Sequence, residues 1–149
     1  MAFQSCPISG DTRNERVVRI VAGFVVAVAV GSATLPHLIA VAVLLALATD
    51  FAVRGFGSPR YSVLATLGRA VARLSLKPVD AAPKRFAARI GVGFALSAAI
   101  LHLASLPVAA LSVTGVLAVC ATLEAALGLC VGCRIYSLLP VRLALALAR

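Results

Sequence analysis

Residues 86–129, FAARIGVGFALSAAILHLASLPVAALSVTGVLAVCATLEAALGL, decide which solvent this chain folds in. Two apolar runs, Phe86 to Ser105 and Val108 to Leu129, are separated only by Leu106-Pro107. At about 1.5 Å per helical residue each run can cross a hydrocarbon core of about 30 Å. So short a connection forces the two helices to run antiparallel as a hairpin. The same grammar stands upstream: Val17 to about Leu35, a Leu35-Pro36 break, then His37 to Val53. Composition agrees, with 62% hydrophobic and 13% charged residues among 149, more apolar than a soluble core of that size requires.

The charged residues say how the hairpins are oriented. Three Arg precede or open the first run, eight Lys or Arg lie from Arg54 to Arg89, and three Arg follow Cys133. Neither Leu-Pro turn carries any. The positive-inside rule therefore places both termini and every basic segment in the cytoplasm. In a soluble protein a net charge of +9 would suggest nucleic acid, but zero Trp, two Tyr and the absence of a recognition motif leave nothing to read bases with. A cleaved signal peptide is disfavoured by the length of the apolar run and by Asp11 and Glu15 ahead of it.

Local signals refine the plan. Thr12 with Glu15 forms a capping box for the first helix. Ser58-Pro59 predicts a helix start, and Arg60 to Leu76 has amphipathic spacing, with Val63, Leu67, Ala70, Val71 and Leu74 on one face and Arg69, Arg73 and Lys77 on another. This is the pattern of an interfacial helix lying on the inner leaflet. Pro78 and Pro83 interrupt the chain before Lys84, Arg85 and Arg89 anchor the third run. Ala87, Gly91, Ala95 and Ala99 give that run a small-residue face for close helix packing. The fold class is thus all-α: one domain over 1–149, an integral membrane four-helix bundle of two transmembrane hairpins joined by a cytoplasmic amphipathic helix at about 59–76. The hairpins share a Leu-Pro turn and an acid late in the second helix, Asp50 and Glu124, which suggests pseudo-two-fold packing.

Cys130-Val131-Gly132-Cys133 is the leading chemical candidate. Two sulfurs three residues apart can form a disulfide or grip one soft metal ion. The electrostatics depend on the backbone: a helix ending at the cysteines disfavours thiolate, whereas a break at Gly128 or Gly132 that lets Cys133 open a new turn favours it, with Arg134 helping. The topology returns Cys6 to the same membrane face, where it could resolve a mixed disulfide, accept sulfur or complete a three-thiolate metal site. Cys120 lies deeper and reads as packing. Asp50 and Glu124 are costly within apolar runs. Asp50 is expected to pair with Arg54, Arg85 or Arg89, while Glu124 can reach Cys133 as a base only through a bend or a water. His37 and His102 could meet at the outer end as a metal pair, although histidines at an interface are common.

Several of these elements occur together in a recognisable order: Cys6-Pro7-Ile8-Ser9-Gly10 with Asn14-Glu15, Pro83-Lys84-Arg85-Phe86-Ala87, and Leu123-Glu124 followed by Gly128-Leu129-Cys130-Val131-Gly132-Cys133 and Tyr136. In them the chain resembles an uncharacterised family of small bacterial integral membrane proteins, over about residues 6–139. The resemblance implies a bacterial inner-membrane location and singles out Cys6, Cys130, Cys133 and Glu124 as site residues, but brings no activity. The apolar tail from Val141 to Ala148 lies outside the pattern and is too short to span.

The function expected from these residues is thiol exchange of electrons or sulfur with a cytoplasmic thioredoxin-like or rhodanese-like partner. A carrier or channel for a soft metal ion or small sulfur species is a different class of answer, and a structural membrane subunit a third. No cofactor is expected. The lipid bilayer is the obligatory partner, homo-oligomer formation stays open, and hydrolase or nucleotide-driven chemistry has no motif behind it.

Overall fold

Prolines and one glycine set the element boundaries. A computed structural model describes residues 12–72 and 78–138; Cys6, the 73–76 part of the expected interfacial helix and the apolar tail lie outside them. The elements are β1 (Thr12–Asn14), α1 (Glu15–Ser32), α2 (His37–Phe56), a 3-10 turn (Pro59–Tyr61), α3 (Val63–Val71), β2 (Pro78–Asp80), α4 (Ala81–Leu103), α5 (Pro107–Leu127) and α6 (Val131–Leu138). The two strands pair antiparallel, Thr12 opposite Asp80 and Asn14 opposite Pro78. Apart from this short ladder the described chain is helical.

Both Leu-Pro breaks fall between helices. Pro36 precedes α2, and Pro107 opens α5 at a position where its missing N–H costs nothing. Pro83, expected to interrupt the chain, instead lies in the first turn of α4, where the backbone N–H groups have no helical partner. Thr12 does not cap α1. It belongs to β1, and Asn14 caps in its place, Oδ1 accepting from the Arg16 N–H at 3.0 Å. The expected interfacial helix is shorter than its sequence pattern. Ser58-Pro59 yields only the 3-10 turn, and Ser62 caps α3 by accepting the Ala65 N–H at 3.0 Å.

α2, α4 and α5 are each long and apolar enough to cross a membrane. α1 has 18 residues and carries Glu15, Arg16 and Arg19 near its start, so it does not reach the same standard. The tightest associations run between the expected hairpins: α2 packs most extensively on α4 and α1 on α5, whereas α1 and α2 share a much smaller surface. Small residues allow this. Gly91 lies so close to Phe51 that a Cβ would stand 2.8 Å from its ring, and Ala95, Ala98 and Ala99 are fully buried. In lipid, where apolar burial drives little, such close van der Waals packing supplies the association energy. Leu38, Ile39, Ile100, Val108 and Val119 point outward, as side chains facing acyl chains do.

Candidate functional site

Gly128 is the hinge of the site. It ends α5 in the left-handed conformation at φ 69°, which glycine adopts without strain. The Gly128 N–H donates to the Glu124 carbonyl at 3.0 Å and the Leu129 N–H to Leu123 at 3.2 Å, closing a Schellman cap. The chain then starts again as α6, with Cys130 at its N-cap position. The chain breaks at Gly128, one of the two expected glycines, but it is Cys130 rather than Cys133 that stands at the start of the new turn.

The Cys130 sulfur does the work of a capping side chain. It accepts the Cys133 N–H at 3.4 Å, while the Cys130 carbonyl accepts the Arg134 N–H at 3.1 Å. Cys130 is buried, Cys133 half-buried, and both are free thiols, as is Cys120. The Cys133 thiol hydrogen-bonds to Cys130, which pushes the Cys130 pKa down; Lys84 and the Cys133 N–H assist, and burial and Glu124 oppose. The same hydrogen bond and burial push the Cys133 pKa far up. One thiol is thus prepared to lose its proton and the other to keep it. The cation acting on both is Lys84, whereas Arg134, the expected helper, is exposed.

α6 is held in place by α4. A Cβ on Gly132 would lie 2.7 Å from the Ala87 Cβ, so only glycine allows this approach. One turn further on, Tyr136 is buried against Phe86 with ring centroids 5.5 Å apart. Nearby, Lys84 from α4 forms an ion pair with Glu124 from α5. The Glu124 charge opposes ionisation of both cysteines. Glu124 thus has a basic partner from another helix, Lys84. That lysine reads in the sequence as one anchor among Lys84, Arg85 and Arg89; only the packing of α4 against α5 and α6 distinguishes it.

The other candidates are placed differently. Asp50 pairs with Arg54 at 2.9 Å, as one of the expected partners, and its other oxygen accepts the Ser62 hydroxyl at 2.8 Å and the Leu64 N–H at 3.2 Å. It anchors α3 to α2. Arg89 donates to the Gly55 carbonyl at 3.0 Å. His37 and His102 do meet, with ring centroids 5.9 Å apart, but His37 Nε2 contacts the His102 backbone carbonyl at 2.6 Å. Among the described residues no group of three or more His, Cys, Asp or Glu could hold a metal ion. Arg19 closes the end of α5, donating to the Ala125 carbonyl at 3.1 Å and to that of Ala126 at 2.6 Å. Beside Cys130, a cavity of about 540 Å³ extends between α1, α2, α4 and α5.

An all-helical bundle with three membrane-length helices defines a multi-pass membrane protein. More particularly, the chain belongs to the family described as domain of unknown function DUF4395, whose pattern matches residues 14–140. The match takes in Lys84, Glu124, Cys130 and Cys133 and begins after Cys6. No curated protein and no solved structure matches the chain.

Proposed function

We propose that this protein is a membrane thiol-exchange protein in which Cys130 attacks and Cys133 resolves. The observation that carries the reading is the Cys130 sulfur at the N-cap of α6, stabilised as thiolate by the Cys133 thiol and N–H. The Cys130 thiolate attacks the disulfide of a soluble thioredoxin-like partner, forming a mixed disulfide and releasing one partner thiolate. Cys133 then gives up its proton and attacks the Cys130 sulfur. A Cys130–Cys133 disulfide forms and the partner leaves as a dithiol. With a rhodanese-like persulfide as partner, the same first attack on the outer sulfur leaves a persulfide on Cys130.

This reading includes a four-span topology in the bacterial inner membrane. α1 serves as the fourth span, both termini are cytoplasmic, and α3 rests on the inner leaflet. Exposed Val63, Leu67 and Val71 on α3, whose opposite side is buried at Ala65 and Gly68, support that placement. Cys6 is proposed as an auxiliary thiol at the same face. A reporter fused after Arg149 should behave as cytoplasmic and one inserted at Leu35-Pro36 as external; an external carboxyl terminus overturns the orientation. For the chemistry, Cys133→Ser should accumulate a mixed disulfide or persulfide on Cys130, seen by mass spectrometry. Capture by Cys133 in the Cys130→Ser variant instead would reverse the roles. Capture by neither would sink the proposal.

A further inference from the structure

The cavity beside Cys130 is lined by four cations, Arg13, Arg54, Arg69 and Lys84, against a single acid, Glu124. They come from β1, α2, α3 and α4, so the fold gathers them from across the chain. Arg13 and Glu124 act electrostatically on Arg54, and Lys84 and Glu124 on Cys130, which places these charges and the sulfur in one neighbourhood. Glu124 is already engaged by Lys84. Arg54 is held on two sides: its Nε meets Asp50 at 2.9 Å, and its guanidinium lies over the Phe51 ring at 4.7 Å. Its Nη2 is buried with no hydrogen-bond partner among the described residues. A buried charged donor without an acceptor is costly, and a guanidinium fixed in place is the side chain best suited to an oxyanion. Cys130, the thiol prepared to ionise, lines the same cavity. The volume of about 540 Å³ falls within the roughly 300–1,000 Å³ of small-molecule sites.

We infer that the cavity is a binding site for a small anion that carries an electrophilic sulfur, its oxyanion group taken by the arginines and its outer sulfur delivered to Cys130. This deepens the thiol-exchange reading and rests on Cys130 as the attacking thiol. Two sources share the chemistry: inorganic thiosulfate, and the persulfide of a carboxylate-bearing thiol such as glutathione. The Cys130 thiolate attacks the outer sulfur, and a new sulfur–sulfur bond forms to Cys130. The bond that held that sulfur to the donor breaks, and its electron pair leaves with sulfite or with the donor thiolate. Cys130 becomes a persulfide, and no further oxidant or reductant is needed. The leaving group gains negative charge as the bond breaks, and a cationic lining stabilises that charge. A neutral disulfide draws on none of this, which separates the site from general thiol reactivity.

The test gives the reduced full chain in phospholipid nanodiscs thiosulfate or glutathione persulfide, with neutral dipyridyl disulfide as control, and reads the Cys130 peptide by mass. The expected result is one added sulfur on Cys130 from at least one anionic donor, and the donor that reacts names the source. Arg54→Gln should raise the half-saturating concentration of that donor by about tenfold or more, the worth of a charge-assisted hydrogen bond, with the dipyridyl disulfide rate unchanged. Because that variant also removes a partner of Asp50, sulfate is tested on the unaltered protein. Replacing chloride at equal ionic strength, sulfate should slow the anionic donor and leave the neutral disulfide unaffected. If the neutral disulfide modifies Cys130 while neither anion does, the site is overturned and thiol exchange stands. Sulfur arriving only on Cys120, or a donor rate indifferent to sulfate or to Arg54→Gln, also overturns the site. If no reagent modifies Cys130, both readings fall.

Discussion

Asp50 and Glu124 stand at similar places, late in the helix that follows each Leu-Pro break, yet they serve different ends. Asp50 spends its lone pairs locally: an i,i+4 bond to Arg54 on its own helix, and bonds to Ser62 and Leu64 just across a short loop. Glu124 reaches across to Lys84 on another helix, next to two thiols that respond to both charges. The difference shows that an acid in an apolar helix is not defined by its depth or by the symmetry of its hairpin. It is defined by what the following chain does. After Asp50 the chain returns a capped helix that donates twice to one carboxylate oxygen; after Glu124 it turns at Gly128 and leads into the cysteines.

Substitutions can break this contrast, and the largest effect is expected at the thiols themselves. Cys130→Ser should abolish partner exchange, whereas Cys133→Ser should retain the first attack and stall at the mixed disulfide, as read on non-reducing gels and by mass. Next comes Asp50→Ala, which strands the Arg54 guanidinium and removes the tie to α3. A loss of about 3 kcal/mol is expected from breaking a largely buried pair, measured as a lower unfolding midpoint in detergent, with thiol reactivity little changed. Gly132→Ala should cost about 2 kcal/mol through overpacking on Ala87 and, by displacing α6 from Lys84, should shift the Cys130 alkylation profile to higher pH. The smallest stability effect belongs to Glu124→Gln, but its signature is chemical. Glu124 raises the Cys130 pKa, so removing its charge should move alkylation to lower pH, and Lys84→Met should move it to higher pH. If Asp50→Asn shifts the alkylation profile as much as Glu124→Gln does, the two acids do not have separate roles.

The packing of the bundle draws a second contrast. Leu-Pro turns join α1 to α2 and α4 to α5, and reading each pair as a self-contained hairpin follows from the shortness of those turns. Covalent proximity does not decide contact area, however. The stripe of small residues on α4 accepts Phe51 of α2, and α1 lies along α5, so that α1 and α2 share little surface although a short turn joins them, whereas α4 and α5 pack closely.

The sequence by itself determined the solvent and most of the helices, because apolar length and proline placement act locally and need no partner to be read. It also marked Cys130, Cys133 and Glu124, because thiols and acids in apolar surroundings are conspicuous whatever surrounds them. Capping was less legible, since Thr12 and Asn14 are both good caps and the choice depended on β1 pairing with β2, sixty-odd residues away. Only the tertiary structure decided that Lys84 rather than Arg134 addresses the thiols, that Asp50 anchors α3, and that Cys130 rather than Cys133 is the sulfur prepared to ionise. Each of these depends on the direction the chain takes after Gly128 or Phe56. That direction is set by a left-handed glycine, a helix cap and the fit of Gly132 on Ala87, interactions whose partners are distant in sequence and meet only in the folded bundle.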